Sequence, residues 1–279
     1  MILPPLPTAP PKPTLLAHYM PWYASKPVSG AWGWHWTMNH FDPDRMANGR
    51  PEAASHYRPL MGLYDSGDPA AIECHLLLMK MSGIDGVLVD WYGNVDTYDY
   101  AAIHRNTGLV LAACARLGME FALVYEDQTV PQLIKSGKFR AEDATAEGAK
   151  LMGWLARNWF ASSAYLKEAG RPVFLVFGPQ YYKEADWTRM FAGLPNPPAF
   201  YTLHTRKAPA TGAYDWPLPK EAEAARARFA AARKETPNSI PVAYPRFHDI
   251  YKQAGVGVGD VAVALADARL LVDVVEAGV

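Results

Sequence analysis

The feature that most constrains this chain is the regular return of short, almost wholly apolar runs separated by longer stretches with helical period and helix caps. The runs Leu15 to Tyr19, Gly86 to Asp90, Glu120 to Tyr125, Val173 to Phe177, Ala199 to His204 and Pro241 to Tyr244 read as strands. Their nearly continuous apolar character is what strands covered on both faces require. Alternation of such strands with helices is the pattern of βαβ units around a parallel sheet. The clearest helix is Pro69 to Ser82, with Asp68 as N-cap, Pro69 at the first helical position and Gly83 ending it. Further helices are expected over Tyr98 to Leu117, from about Ala144 to Lys167, and over Lys220 to Lys234, whose Lys, Glu and Arg side chains suit a solvated face.

The expected fold class is therefore α/β, of the (β/α)8 TIM barrel kind. Six strands are fewer than the eight that close such a barrel. After Ala254 the sequence changes to a Gly, Ala and Val run in which Leu270 to Val275 suits either a strand or a terminal helix. The barrel is thus expected to be incomplete, altered at its C-terminal end, or closed by elements without a sequence signal. Residues 1–13 carry six prolines and read as a tail, because proline lacks the N–H and fixes φ. Residues 14–279 read as one domain, a length that α/β barrels reach.

A net charge of −1 provides no basic face for nucleic acid. No run approaches the ~18 apolar residues of a membrane span. The N-terminus lacks the charged and apolar regions of a signal peptide, so the sequence as it stands reads as cytoplasmic, or as periplasmic or secreted if an upstream signal has been removed. Cys74 and Cys114 fall in expected helices and are too few for a disulfide framework or a zinc site. The histidines show no metal-ligand spacing and no nucleotide or serine-hydrolase motif is present, so no metal or cofactor is inferred. Nothing in the sequence fixes the oligomeric state.

The candidate chemistry gathers where strands end. After the first strand come His18, Tyr19, Trp22 and Tyr23, then Trp32, Trp34, His35, Trp36 and His40. Four tryptophans within residues 22–36, in a loop broken by Gly and Pro, fit no helix or strand period. They suit either a ligand cleft or a small core beneath a long loop, and flat rings with convergent polar groups match the C–H faces and hydroxyls of a sugar. The second strand runs into Asp90, Trp91 and Tyr92, at the end that faces the catalytic mouth of a barrel. The third ends in Tyr125, Glu126 and Asp127. Neighbours on a strand point to opposite faces, so one of the two carboxylates is expected to face the cleft. Glu126 is the first candidate, since a carboxyl at the edge of an apolar pocket has a raised pKa suited to acid or base work. His204 ends the fifth strand, and Tyr244, Arg246, His248 and Asp249 follow the sixth as weaker candidates.

Several of these stretches resemble the endo-α-mannosidase-like glycoside hydrolases of family 99 and, more loosely, family 71. They are His18-Tyr19-Met20-Pro21-Trp22-Tyr23, Gly33-Trp34-His35-Trp36, Gly62-Leu63-Tyr64-Asp65-Ser66, and Gly83 to Asp90-Trp91-Tyr92-Gly93, with Tyr125-Glu126-Asp127 at the end of the third strand. The resemblance covers roughly residues 15–180 and not the final forty. It implies a (β/α)8 barrel that acts on α-linked mannosides or glucosides with retention and without a metal. In such enzymes one carboxylate deprotonates the sugar's own 2-hydroxyl while a second carboxyl protonates the leaving oxygen. Glu126 would take one role and Asp90 or Asp127 the other, with Tyr19, Trp22, Tyr23, Trp34, His35, Trp36, Trp91, Tyr92, Tyr125 and His204 against the carbohydrate substrate. The family's Glu is followed by Pro and Tyr, whereas Asp127 follows here. The other readings are a sugar-binding protein without catalysis and a glycosyltransferase of polysaccharide biosynthesis.

Overall fold

The computed structural model describes residues 14–216 and 238–242, with single positions 227, 230, 231, 234, 250 and 253. Six strands form one parallel sheet in sequence order: β1 (Leu16–Tyr19), β2 (Gly86–Trp91), β3 (Glu120–Tyr125), β4 (Arg171–Val176), β5 (Ala199–Leu203) and β6 (Gly212–Tyr214). The longer helices between them are α1 (Pro69–Met81), α2 (Tyr100–Leu117), α3 (Ala144–Asn158) and α4 (Glu184–Ala192). The sheet is a curled half-barrel consistent with the TIM-barrel plan, and closure by eight strands is not seen among the described residues.

Local chemistry explains the elements. Asp68 caps α1 by accepting from Ala70 N at 2.9 Å, with Pro69 at the first helical position. Gly86 opens β2 because a Cβ there would stand 2.3 Å from the Glu120 carbonyl, so only glycine lets β2 and β3 pair at their start. Strand-to-helix packing is aromatic. Trp187 of α4 is fully buried, with its ring 4.7 Å from Phe200 on β5 and 6.4 Å from Phe174 on β4.

Four differences from the sequence reading have physical reasons. The helix expected to run to Lys167 stops at Asn158, because residues 164–166 enter the sheet beside the start of β3, where Phe121 N donates to Ala164 O and Leu166 N to Phe121 O. Lys167–Glu168 then pairs antiparallel with Arg171–Pro172. Helix α4, at nine residues, and strand β6, at three, are too short to have been read from the sequence. Ile240 pairs in parallel with Tyr214, so the sheet continues past β6 toward the run expected as the sixth strand. Most of that run, most of the helix expected over 220–234, the tail 1–13, and Tyr244, Arg246, His248 and Asp249 lie outside the described residues.

Candidate active site

Register decides which strand-end residues meet. Asp90 of β2 lies opposite Val124 of β3, Trp91 opposite Tyr125, and Glu126 N donates to Trp91 O at 2.9 Å. With a side-chain period of two, Asp90 and Glu126 share the concave face, and Trp91 and Tyr125 share the face covered by helices. Trp91 is fully buried there against Trp159 at 5.3 Å and Tyr125 at 5.8 Å, with its Nε1 3.3 Å from His104. Tyr125 packs on Phe174. Tyr19, opposite Val89, also faces the helices, its hydroxyl 3.1 Å from His75. Alternation thus carries these three aromatics away from the cleft that sequence reasoning gave them.

Asp90 and Glu126 are buried side by side at the ends of β2 and β3, and each bears on the other's protonation. No N–H or O–H donor among the described residues reaches the buried Oδ1 of Asp90, so nothing there supports a charge on that oxygen. Burial, reinforced by the charge of Glu126, pushes the Asp90 carboxyl far above the ordinary carboxylate range. Burial also raises Glu126, opposed by the hydrogen bonds from Gln128 and Asp90. Two buried carboxyls that are both raised and bear on each other resist ionising together, the condition under which acid–base sites divide their roles.

The aromatic loop after β1 is both a cleft wall and a small core. Trp36 is buried, donates from Nε1 to Tyr64 O at 2.9 Å, and packs on Tyr23 at 4.2 Å; these rings form the core beneath the loop. Trp22 and His35 stack face to face at 4.4 Å, Trp22 lies 6.2 Å from Tyr92, and His35 bears electrostatically on Glu126. Burial, then the charges of Glu126 and Asp90, raises the Tyr92 hydroxyl, which places it at the pair. Trp34 is 40% exposed at the mouth with its ring edge-on to His35.

The opposite wall was not read from the sequence. Tyr214 of β6 feels the charges of Asp90 and Glu126 and donates to Val176 O at 3.1 Å. His18 stacks beside Tyr214 at 6.1 Å and meets Trp216 edge-on at 4.8 Å, and Phe177 meets Trp216 at 5.3 Å. Burial lowers the His18 imidazole to about 4, so it is neutral at ordinary pH. Only the recognition of β6 could have signalled Tyr214 and Trp216.

Asp127 and His204 are placed differently. Asp127 opens a 3-10 turn after β3 and accepts from the backbone N–H groups of Gln180, Tyr181 and Tyr182 at 2.9 to 3.1 Å. Its carboxylate is turned to the loop after β4, not to the Asp90–Glu126 pair. His204 has φ +62° and pairs through Nδ1 with Asp215 at 2.9 Å, at the exposed end of β5. Among the described residues no three His, Cys, Asp or Glu side chains group as metal ligands would. A cavity of about 430 Å³ lies behind Tyr92, between Tyr125, Leu133, Trp154 and Tyr182, on the helix side of the sheet rather than at the pair.

No family model matches the chain. Among curated proteins it is similar to the glycoprotein endo-alpha-1,2-mannosidases of Rattus norvegicus, 31% identical over 87 residues, and Mus musculus, 32% identical over 89 residues. These matches span 27% and 28% of this chain and only 18% and 19% of the relatives' own length. Among solved structures, the fold is similar to the GH99 endo-alpha-mannosidase of Bacteroides thetaiotaomicron, with a TM-score of 0.62 and 17% identity over 85% of this chain and 70% of that one. It is also similar to a glycoside hydrolase-like protein, with a TM-score of 0.52 and 11% identity over 88% and 75%. These neighbours, in sequence and in fold, are of the kind the sequence resemblance named.

Proposed function

We infer that the chain is a glycoside hydrolase acting on α-linked mannoside or glucoside units of an oligo- or polysaccharide. The observation that carries this reading is the buried Asp90–Glu126 pair at adjacent strand ends, enclosed by Trp22, His35, Tyr92, Tyr214 and His18. The fold likeness to glycosidases and the short sequence match to endo-mannosidases support it.

The pair's contact sets the roles. Two carboxyls that flank a glycosidic bond stand about 5 to 10 Å apart on either side of it, whereas Asp90 and Glu126 lie on one face at adjacent strand ends. Asp90 and Glu126 therefore act on one side of the sugar as a single unit. Glu126 accepts a proton from a sugar hydroxyl while Asp90 tunes its charge, as the substrate-assisted route implied by the resemblance requires. The leaving oxygen needs a proton from a further carboxyl, and Asp249, which follows the run 241–244 in the sequence, is one candidate for it.

The test is mass-spectrometric assay of α-mannans, α-glucans and bacterial surface polysaccharides with the wild type, Glu126→Gln and Asp249→Asn. Loss of turnover in Glu126→Gln with sugar binding retained is the expected result. Full turnover in Glu126→Gln removes that residue from the mechanism, and binding without turnover in the wild type reassigns the chain as a sugar-binding protein.

A further inference from the structure

The cavity behind Tyr92 is separate from the carboxyl cleft and has the size and lining of a ligand site. Its volume of about 430 Å³ lies within the range of small-molecule pockets. It is enclosed by the loop after β2, the short helix Val130–Lys135 and α3. Of the residues that line it, Tyr92 alone also stands at the Asp90–Glu126 pair.

Interior and mouth differ in chemistry. Inside are the buried side chains of Tyr125, Val130, Leu133, Leu151 and Tyr182, with half-buried Trp154 beside them. The Tyr182 hydroxyl is already used, since it donates to Ala144 O at 3.0 Å. An apolar body fits this interior, whereas a sugar would exchange the water around its hydroxyls for few partners. Two exposed cations of α3, Lys150 and Arg157, belong to the mouth. They stand seven residues apart and so share one face of the helix. Glu147 pairs with Lys150 at 2.6 Å and offsets its charge. Arg157 has no acceptor among the described residues, and the Asn94 amide on the β2 loop has no partner there either. The mouth therefore carries one uncompensated positive charge and a free amide above an apolar interior.

We propose that this cavity binds a small apolar carboxylic acid, with its hydrocarbon body among Leu133, Leu151 and Trp154 and its carboxylate at Arg157. Charge complementarity fixes the class: an amine would be repelled by the free guanidinium, and a neutral apolar molecule would leave it unused. The inference stands apart from the reading of the cleft as a sugar site, because the cavity is on the other side of the sheet.

Calorimetric titration with 4-phenylbutyrate and its neutral amide, 4-phenylbutyramide, tests the site in the wild type, Arg157→Gln and Leu133→Trp. The acid is expected to bind the wild type about tenfold more tightly than the amide, the size of one hydrogen bond to a charged group. Arg157→Gln, at an exposed position, is expected to reduce the acid to the affinity of the amide and to leave the amide unchanged. Leu133→Trp fills the interior and is expected to abolish binding of both. No binding of the acid to the wild type, equal affinities of acid and amide there, or an unchanged affinity of the acid in Arg157→Gln each overturns the proposal. Undiminished binding in a folded Leu133→Trp puts the acid elsewhere on the molecule and overturns it too.

Discussion

At the scale of single residues, the two buried carboxyls set a pH dependence opposite in sign to that of a surface ion pair. Burial raises the folded-state pKa of Asp90 well above its unfolded value, and that of Glu126 in the same direction. Below about pH 4 both states are protonated and burial carries no penalty. As pH rises past the unfolded values the unfolded chain releases protons that the folded chain retains, so these groups destabilise the fold progressively up to their folded pKa values. Asp90→Asn removes one titrating group while keeping an N–H to donate to Glu126. Its melting temperature is expected to exceed that of the wild type at pH 7 to 8 and to converge with it near pH 4; a constant difference across this range would show that Asp90 is not held protonated by burial. A rate profile should report the pair through two macroscopic values, with the singly protonated form active. Asp90 and Glu126 were legible in the sequence because each stands where an apolar run stops. Trp91 and Tyr125 misled, since sequence proximity to a site says nothing of the face, which register alone decides. His18 was visible only as the opening of an aromatic loop.

At the scale of elements, Asp127 shows how one carboxylate ties two strand ends together. By accepting three backbone N–H groups of residues 180–182 it fixes the turn between β4 and α4 to the end of β3, which sets where Glu126 points. Asp127→Ala leaves those donors unsatisfied and is expected to destabilise the fold by about 2 to 4 kcal/mol. That loss should appear as a drop in melting temperature of roughly 2 to 4 °C per kcal/mol. Thermal unfolding checks it, and a variant as stable as wild type would return Asp127 to the list of reactive carboxyls. The strands β1, β2, β3 and β5 were read to within a residue at each end and β4 to within two, because runs covered on both faces leave a continuous apolar signal. Helix α1 was read from its caps. The end of α3 was missed because Trp159, Phe160 and Tyr165 continue its apolar character while serving the underside of the sheet. Strand β6 was missed because Gly212, Ala213 and Tyr214 make too short a run, and Gly212 is there for space: a Cβ would meet Asn238 O at 2.3 Å.

At the scale of the whole molecule, the cleft depends on the curl of the sheet bringing β6 round to β1. His18 on β1 touches Tyr214 on β6, and Tyr214 in turn faces the pair on β2 and β3. The outer edge of β6 is held by Ile240, whose N–H donates to Ala213 O at 2.9 Å and whose carbonyl accepts from Asp215 N at 3.2 Å. The far edge of the sheet is therefore mechanically part of the site, though it lies beyond the stretch, roughly residues 15–180, where the sequence itself carries the resemblance. Ile240→Pro removes the first of these hydrogen bonds without touching any residue of the cleft. It is expected to lower the melting temperature by several degrees and to weaken mannose binding several-fold, since Tyr214 and Trp216 lose their support. Calorimetry and ligand titration on the same sample separate two cases. A fall in both shows that curvature holds the cleft together. A fall in melting temperature with unchanged affinity would mean that β1, β2 and β3, with the loop after β1, form the sugar site by themselves.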